Sequence, residues 1–154
     1  MTDGVDANEQ GFVAGLEALA FGVLIFVLGT LVVVNAWAVV DTKFAASAAA
    51  REAVRAAVEA PVDADQSLVA AVAARQALEG HGVDAEARLM PLLLGLERCQ
   101  EVAFEVRIEV PALVLPGLST RLAPFEVVAA HREVVDPYRS GLAVRQGEVP
   151  GCGF

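Results

Sequence analysis

Ala18–Val40 reads ALAFGVLIFVLGTLVVVNAWAVV, a stretch without one charged side chain. As an α-helix it spans roughly 35 Å at about 1.5 Å per residue, enough to cross the hydrocarbon core of a bilayer. A soluble helix of this length needs a polar face, and here only Thr30 and Asn35 interrupt the apolar surface. The stretch is therefore read as a transmembrane helix. Trp37 suits the headgroup region, and Asp41 with Lys43 marks the exit into water. A cleaved signal peptide fits less well, although Ala46-Ser47-Ala48 has the form of a cleavage site. The apolar run is longer than a signal-peptide core, and the preceding MTDGVDANEQ holds Asp3, Asp6 and Glu9 with no Lys or Arg.

The whole chain has 154 residues, 56% of them hydrophobic and 20% charged, with a formal net charge of −9. The length suits one domain, the apolar excess suits a membrane anchor, and the acidic balance excludes nucleic acid as a partner. Within the apolar run Gly15, Gly22, Gly29 and Ala36 recur every seven residues, a narrow seam where another helix can approach closely. Frequent glycine is also an ordinary feature of membrane helices. Glu17, at the N-terminal lip, is read either as a helix-entry residue at the interface or as a carboxylate pairing between subunits.

Beyond the membrane, TKFAASAAAREAVRAAVEA is built from strong helix formers, with no Gly or Pro before Pro61. The helix should run straight out of the bilayer as a stalk that packs against neighbours, since alanine alone buries little area. Asp63 is expected to cap a second helix, with Gln66 as its capping-box partner and Gly80 as its stop; Leu68, Val69, Val72 and Leu78 would face a sheet. EVAFEVRIEV, residues 101–110, alternates Val102, Phe104, Val106, Ile108 and Val110 with mostly charged residues, the pattern of a half-buried strand. Further strands are expected from Asp84 to about Leu92 and from Phe125 to Val135, giving a meander. The proline-broken stretch Pro111–Pro124 reads as a surface loop, and the end from Asp136, rich in Gly and Pro, as an extended tail.

The expected fold is thus α+β: a long transmembrane helix continuing into a stalk, then a second helix packed on a small, about three-stranded antiparallel sheet. The corresponding divisions are a leader-like segment at 1–11, helix and stalk at 12–60, an α+β domain at 61–136 and a tail at 137–154. His81 and His131 stand apart from any metal-ligand spacing, and no nucleophile elbow, phosphate loop or dinucleotide fingerprint occurs. No catalytic residue, metal, cofactor or small-molecule substrate is expected, and the chain is not read as an enzyme. Cys99 and Cys152 are open to two readings, a disulfide in an oxidising compartment or two free thiols.

Gly11, Glu17, the single apolar helix and the continuation AASAAAREAVRAA together resemble TadE-like pilins of the tight-adherence (Flp, type IVc) pilus systems. So do LERCQEVAFEVRIEVPALVLPGL and the ending HREVVDPYRSGL, the latter in the manner of actinobacterial members. The resemblance covers most of the chain, and the segment Val135–Gly141 is its more distinctive part. It implies a minor pilin or pilus-assembly subunit, partnered by the membrane and other pilins, with the sheet domain outside the cell. It also implies a glycine before the helix, here Gly11, as the prepilin-peptidase site and a glutamate, here Glu17, as an intersubunit charge. Lys43, Arg51 and Arg55 all follow the apolar run, so charge counting alone places the domain in the cytoplasm. That orientation defines the alternative, a single-pass adaptor whose small domain binds a cytosolic protein.

Overall fold

The computed structural model describes residues 7–83, 86–110, 124–142 and Cys152, with side chains described from Glu17 onward. Helix α1 runs from Ala7 to Glu59 without interruption and α2 from Gln66 to Gly80. Strands β1 (Ala87–Leu93), β2 (Glu101–Val110) and β3 (Phe125–Val134) pair antiparallel in the order β1-β2-β3. This is the expected α+β meander. The surface-loop reading of 111–124 falls almost wholly outside the described residues.

The second half of α1 is the middle layer of the fold. It packs against α2 on one flank and against β2 and β3 on another. Ala45, Ala46, Ala49, Ala50, Ala53 and Ala57 are fully buried and share one core cluster with Val102, Phe104, Val106 and Ile108. Alanine suits a helix covered on more than one side, because its short side chain lets neighbouring elements come close. A division at Pro61 therefore cuts through this core: the folded unit begins near Ala45, inside the helix that carries the apolar run.

Helix α2 doubles back along α1. Its cap is Asp65 and not Asp63; the Asp65 carboxylate accepts from the amides of Ser67 (2.9 Å) and Leu68 (3.3 Å). Gln66 serves no capping box. Its amide donates to the carbonyls of Ala57 (3.2 Å) and Gly95 (3.1 Å), and its oxygen accepts from the Gly95 amide. The buried stripe is Ala70, Ala74 and Leu78, at helical spacing toward α1, while Leu68 and Val72 lie exposed. The expected apolar face was chosen by size, whereas the close approach of α1 selects small residues. The helix ends at Gly80, and the left-handed residue after it is Gly82, with φ +69°.

In β2 the alternation sends Val102, Phe104, Val106, Ile108 and Val110 into the core. On the outer face Arg107 meets Glu105 at 2.5 Å and Glu126 at 3.2 Å, Arg88 meets Glu109 at 3.4 Å, and Arg132 meets Glu101 at 3.8 Å. The hydrogen bond that Arg107 donates to Glu105, followed by the negative charge of Glu105 and Glu126, raises the Arg107 pKa above its ordinary value. These exposed pairs set cross-strand preference more than stability. Residues 137–142 are no extended tail: Val135 and Leu142 are buried with the core. Of the rest of that segment, Cys152 alone is described.

Replacing Ala53, fully buried in the middle layer, by leucine should destabilise the full chain by about 1–3 kcal/mol or more through overpacking. Denaturant titration in detergent checks it; an exposed control, Arg51→Leu, should stay within about 0.5 kcal/mol.

Candidate functional site: the bare half of α1 and the clamp at its far end

From Glu17 to Thr30 every residue of α1 is exposed. Its most apolar window has a mean hydropathy of 2.6, and it is long and apolar enough to cross a membrane. Phe26 and Trp37 are each 74% exposed. The few polar groups are satisfied within the helix: the Thr30 hydroxyl donates to the carbonyl of Phe26 (2.9 Å) and the Asn35 amide to that of Leu31 (2.8 Å). Such internal pairing is what an apolar solvent demands.

Gly22, Gly29 and Ala36 lie along one side of this helix, and Gly11 and Gly15 belong to the same helix further back. A side chain built at Gly22 or Gly29 would meet nothing within 4 Å. The half-buried positions of the stretch are Leu31, Asn35 and Val39, continued by Thr42. On a helix of about 3.6 residues per turn they lie roughly 135° from the glycine seam. Gly22 and Gly29 are exposed and open to a neighbour, while further along the same line of the helix Lys43, seven residues after Ala36, reaches the Val128 carbonyl of β3. Glu17 is exposed at the start of the bare stretch.

At the far end of α1 a polar clamp closes the fold. The Arg139 guanidinium donates to the carbonyls of Val58 and Ala60, two acceptors that the end of a helix leaves unpaired. Asp136 holds the turn by accepting from the Tyr138 amide at 2.7 Å. Arg98 donates to the carbonyls of Pro137 and Leu142. The connection from β1 to β2 is drawn in by Gln66 and by Gln100, whose amide donates to Leu94 at 3.1 Å. Gly95, at φ +151°, sits where an added side chain would collide with Gln100. Cys99 is left-handed, φ +62°, and its amide donates to Val135. Cys99 and Cys152 form a disulfide across 53 positions of sequence.

The sequence reading missed Arg98 and Arg139 because a lone arginine carries no spacing signal, and it gave Gln66 a capping role in place of its bonds to Ala57 and Gly95. The one cue was that Arg139 lies inside the distinctive Val135–Gly141 segment, which the structure shows to be a helix-end clamp. A cleft of 670 Å³ between α2 and β1 is lined by Ala74, Leu78, Leu89 and Val106 with Arg75, Glu79, Glu86 and Arg88 at its rim. Among the described residues, no three His, Cys, Asp or Glu side chains converge. His131 lies half-buried on the core side of β3 opposite Phe104, and His81 is exposed beside the end of α2. Comparisons with protein-family models, curated proteins and solved structures return no match.

Two losses follow from the clamp. Arg139→Ala strips a charged donor pair from the end of α1 and should cost about 1.5–3 kcal/mol. Reducing the disulfide should cost about 2–4 kcal/mol, and Cys152→Ser should lower the unfolding midpoint equally and abolish any further effect of reductant. Denaturation of the full chain with and without reductant measures both.

Proposed function

We propose that this chain is a membrane-anchored, TadE-like minor pilin that acts in assembly of a tight-adherence, Flp-type pilus, its folded domain outside the cytoplasm. The observation that carries the reading is the bare glycine seam of α1: Gly22 and Gly29 are exposed with open space beside them, which offers close backbone approach to other helices. Packing of this kind needs no chemistry, and the residues suited to it are Gly15, Gly22, Gly29 and Ala36. Glu17, exposed at the lip of the apolar run, is the candidate charge partner for a neighbouring subunit, and Gly11 the candidate processing position. A disulfide favours an oxidising, exported compartment over the cytosol, against the charge count.

Gly22→Leu is a clean test because the added side chain meets nothing in the folded chain. It should lower incorporation into sheared filaments, or co-purification with partner pilins, by about tenfold or more, equivalent to at least about 1.4 kcal/mol per contact, with unfolding unchanged. Undiminished incorporation would sink the reading. Orientation is measured separately, by treating intact cells with a membrane-impermeant reductant and then an impermeant maleimide. Labelling of Cys99 and Cys152 places the domain outside. Labelling only after lysis places it in the cytosol, where the anchored adaptor takes over.

A further inference from the structure

We infer that the domain does not stand clear of the membrane on a stalk: its near end, the groove between α1 and the start of β3, sits in the headgroup layer and takes a phospholipid. The inference rests on the reading of Ala18–Val40 as a membrane span. Its first support is length. Only Asp41, Thr42, Lys43 and Phe44 separate the last residue of the charge-free run from Ala45, which is already fully buried in the core. Four to five helical residues advance roughly 6–8 Å, no more than the depth of the polar layer on one side of a bilayer, about 5–8 Å. The helix has neither glycine nor proline here to bend it away.

The second support is the sheet's position. Val39, Val40, Lys43 and Phe44 of α1 line a groove of 410 Å³ together with Phe125, Glu126, Val127 and Val128. Val39 and Val40 belong to the apolar run itself, so the floor of the groove is continuous with the surface that would face lipid. β3 leaves this point alongside α1 and reaches the other end of the helix, where Arg139 meets Ala60. The groove therefore marks the membrane end of the domain.

The third support is charge. Lys43 donates one N–H to the carbonyl of Val128, pinning β3 to α1, and two donors remain for a phosphate. The Glu126 carboxylate is already paired with Arg107 at 3.2 Å on the outer face of the sheet. Asp41 lies on the opposite side of α1, roughly 160° from Lys43 on the helical wheel. What the groove offers is an apolar wall with one available cation at its mouth, complementary to an acyl chain carrying a phosphate. Phe44, 66% exposed beside it, would lie at the same depth.

The test uses depth-dependent fluorescence quenching with the full chain in phosphatidylcholine–phosphatidylglycerol vesicles carrying a nitroxide either at the headgroup or deep in the acyl chain. The chain has one tryptophan. In a Trp37→Phe background, reporters are placed by Phe125→Trp, Phe44→Trp, Phe26→Trp and Tyr138→Trp, one at a time. Expected is loss of most emission from the Phe125→Trp and Phe44→Trp reporters with the headgroup label, and much less with the deep label. Phe26→Trp should be quenched by the deep label and Tyr138→Trp by neither. Quenching at Phe26→Trp with none at Phe125→Trp and Phe44→Trp would leave the span intact and overturn the docking, the groove then facing water or filled by the chain itself. No quenching at Phe26→Trp would overturn the span, and the docking with it.

Discussion

Everything in this fold hangs on one uninterrupted helix that has two different solvents to satisfy. From Glu17 to Val40 α1 exposes large apolar side chains over most of its circumference, a surface that suits hydrocarbon better than water. Over its second half the same helix is lined with alanine and clasped between α2 and the sheet. Neither half is stable by propensity alone: a bare apolar helix aggregates in water, and an alanine helix buries too little to hold neighbours unless they approach closely on more than one side. The change from bulky to small side chains at Phe44 and Ala45 is where one solution gives way to the other.

A helix that ends inside its own domain has a second obligation. The last carbonyls of α1 lie among packed elements, and buried acceptors left without donors are costly. Arg139 and Gln66 meet that need from segments far away in sequence, which ties the helix end, α2 and the segment after β3 into one knot. The disulfide completes it by attaching Cys152 to the connection between β1 and β2. The polar groups of the far end thus add to the hydrophobic core there, where Val135 and Leu142 are buried, the donors that the last carbonyls of α1 need.

What was legible in the sequence had a period. The charge-free run, the helix-forming stretch up to Pro61 and the alternation of 101–110 each repeat a pattern over many residues, and each became the expected element. What was illegible depended on single residues or on closeness. Asp63 and Asp65 are equivalent caps on paper, and only the path of the chain after Pro61 selects Asp65. Leu68 and Val72 outrank Ala70 and Ala74 by hydrophobicity, yet the close approach of α1 buries the two alanines, with Leu78, and leaves Leu68 and Val72 exposed. Arg98 and Arg139 carried no signal because their partners are backbone carbonyls, which no side-chain pattern reveals. The glycine seam was visible as a repeat, whereas the open space beside Gly22 and Gly29 required the structure.

The seam bears on the domain because α1 allows no hinge. Between Gly29 and Pro61 there is neither glycine nor proline, and the core grips the helix from Ala45 onward. A rigid helix of this kind transmits rotation: whatever fixes the azimuth of Gly22 and Gly29 fixes that of the outer face of the sheet as well. The charged outer face, with Arg88, Glu105, Arg107 and Glu126, is then presented in an orientation set by contacts on the other side of the molecule. Lateral packing and the exposed surface of the domain are thereby parts of one geometric unit, and a chain that assembles through the first has no freedom to reorient the second.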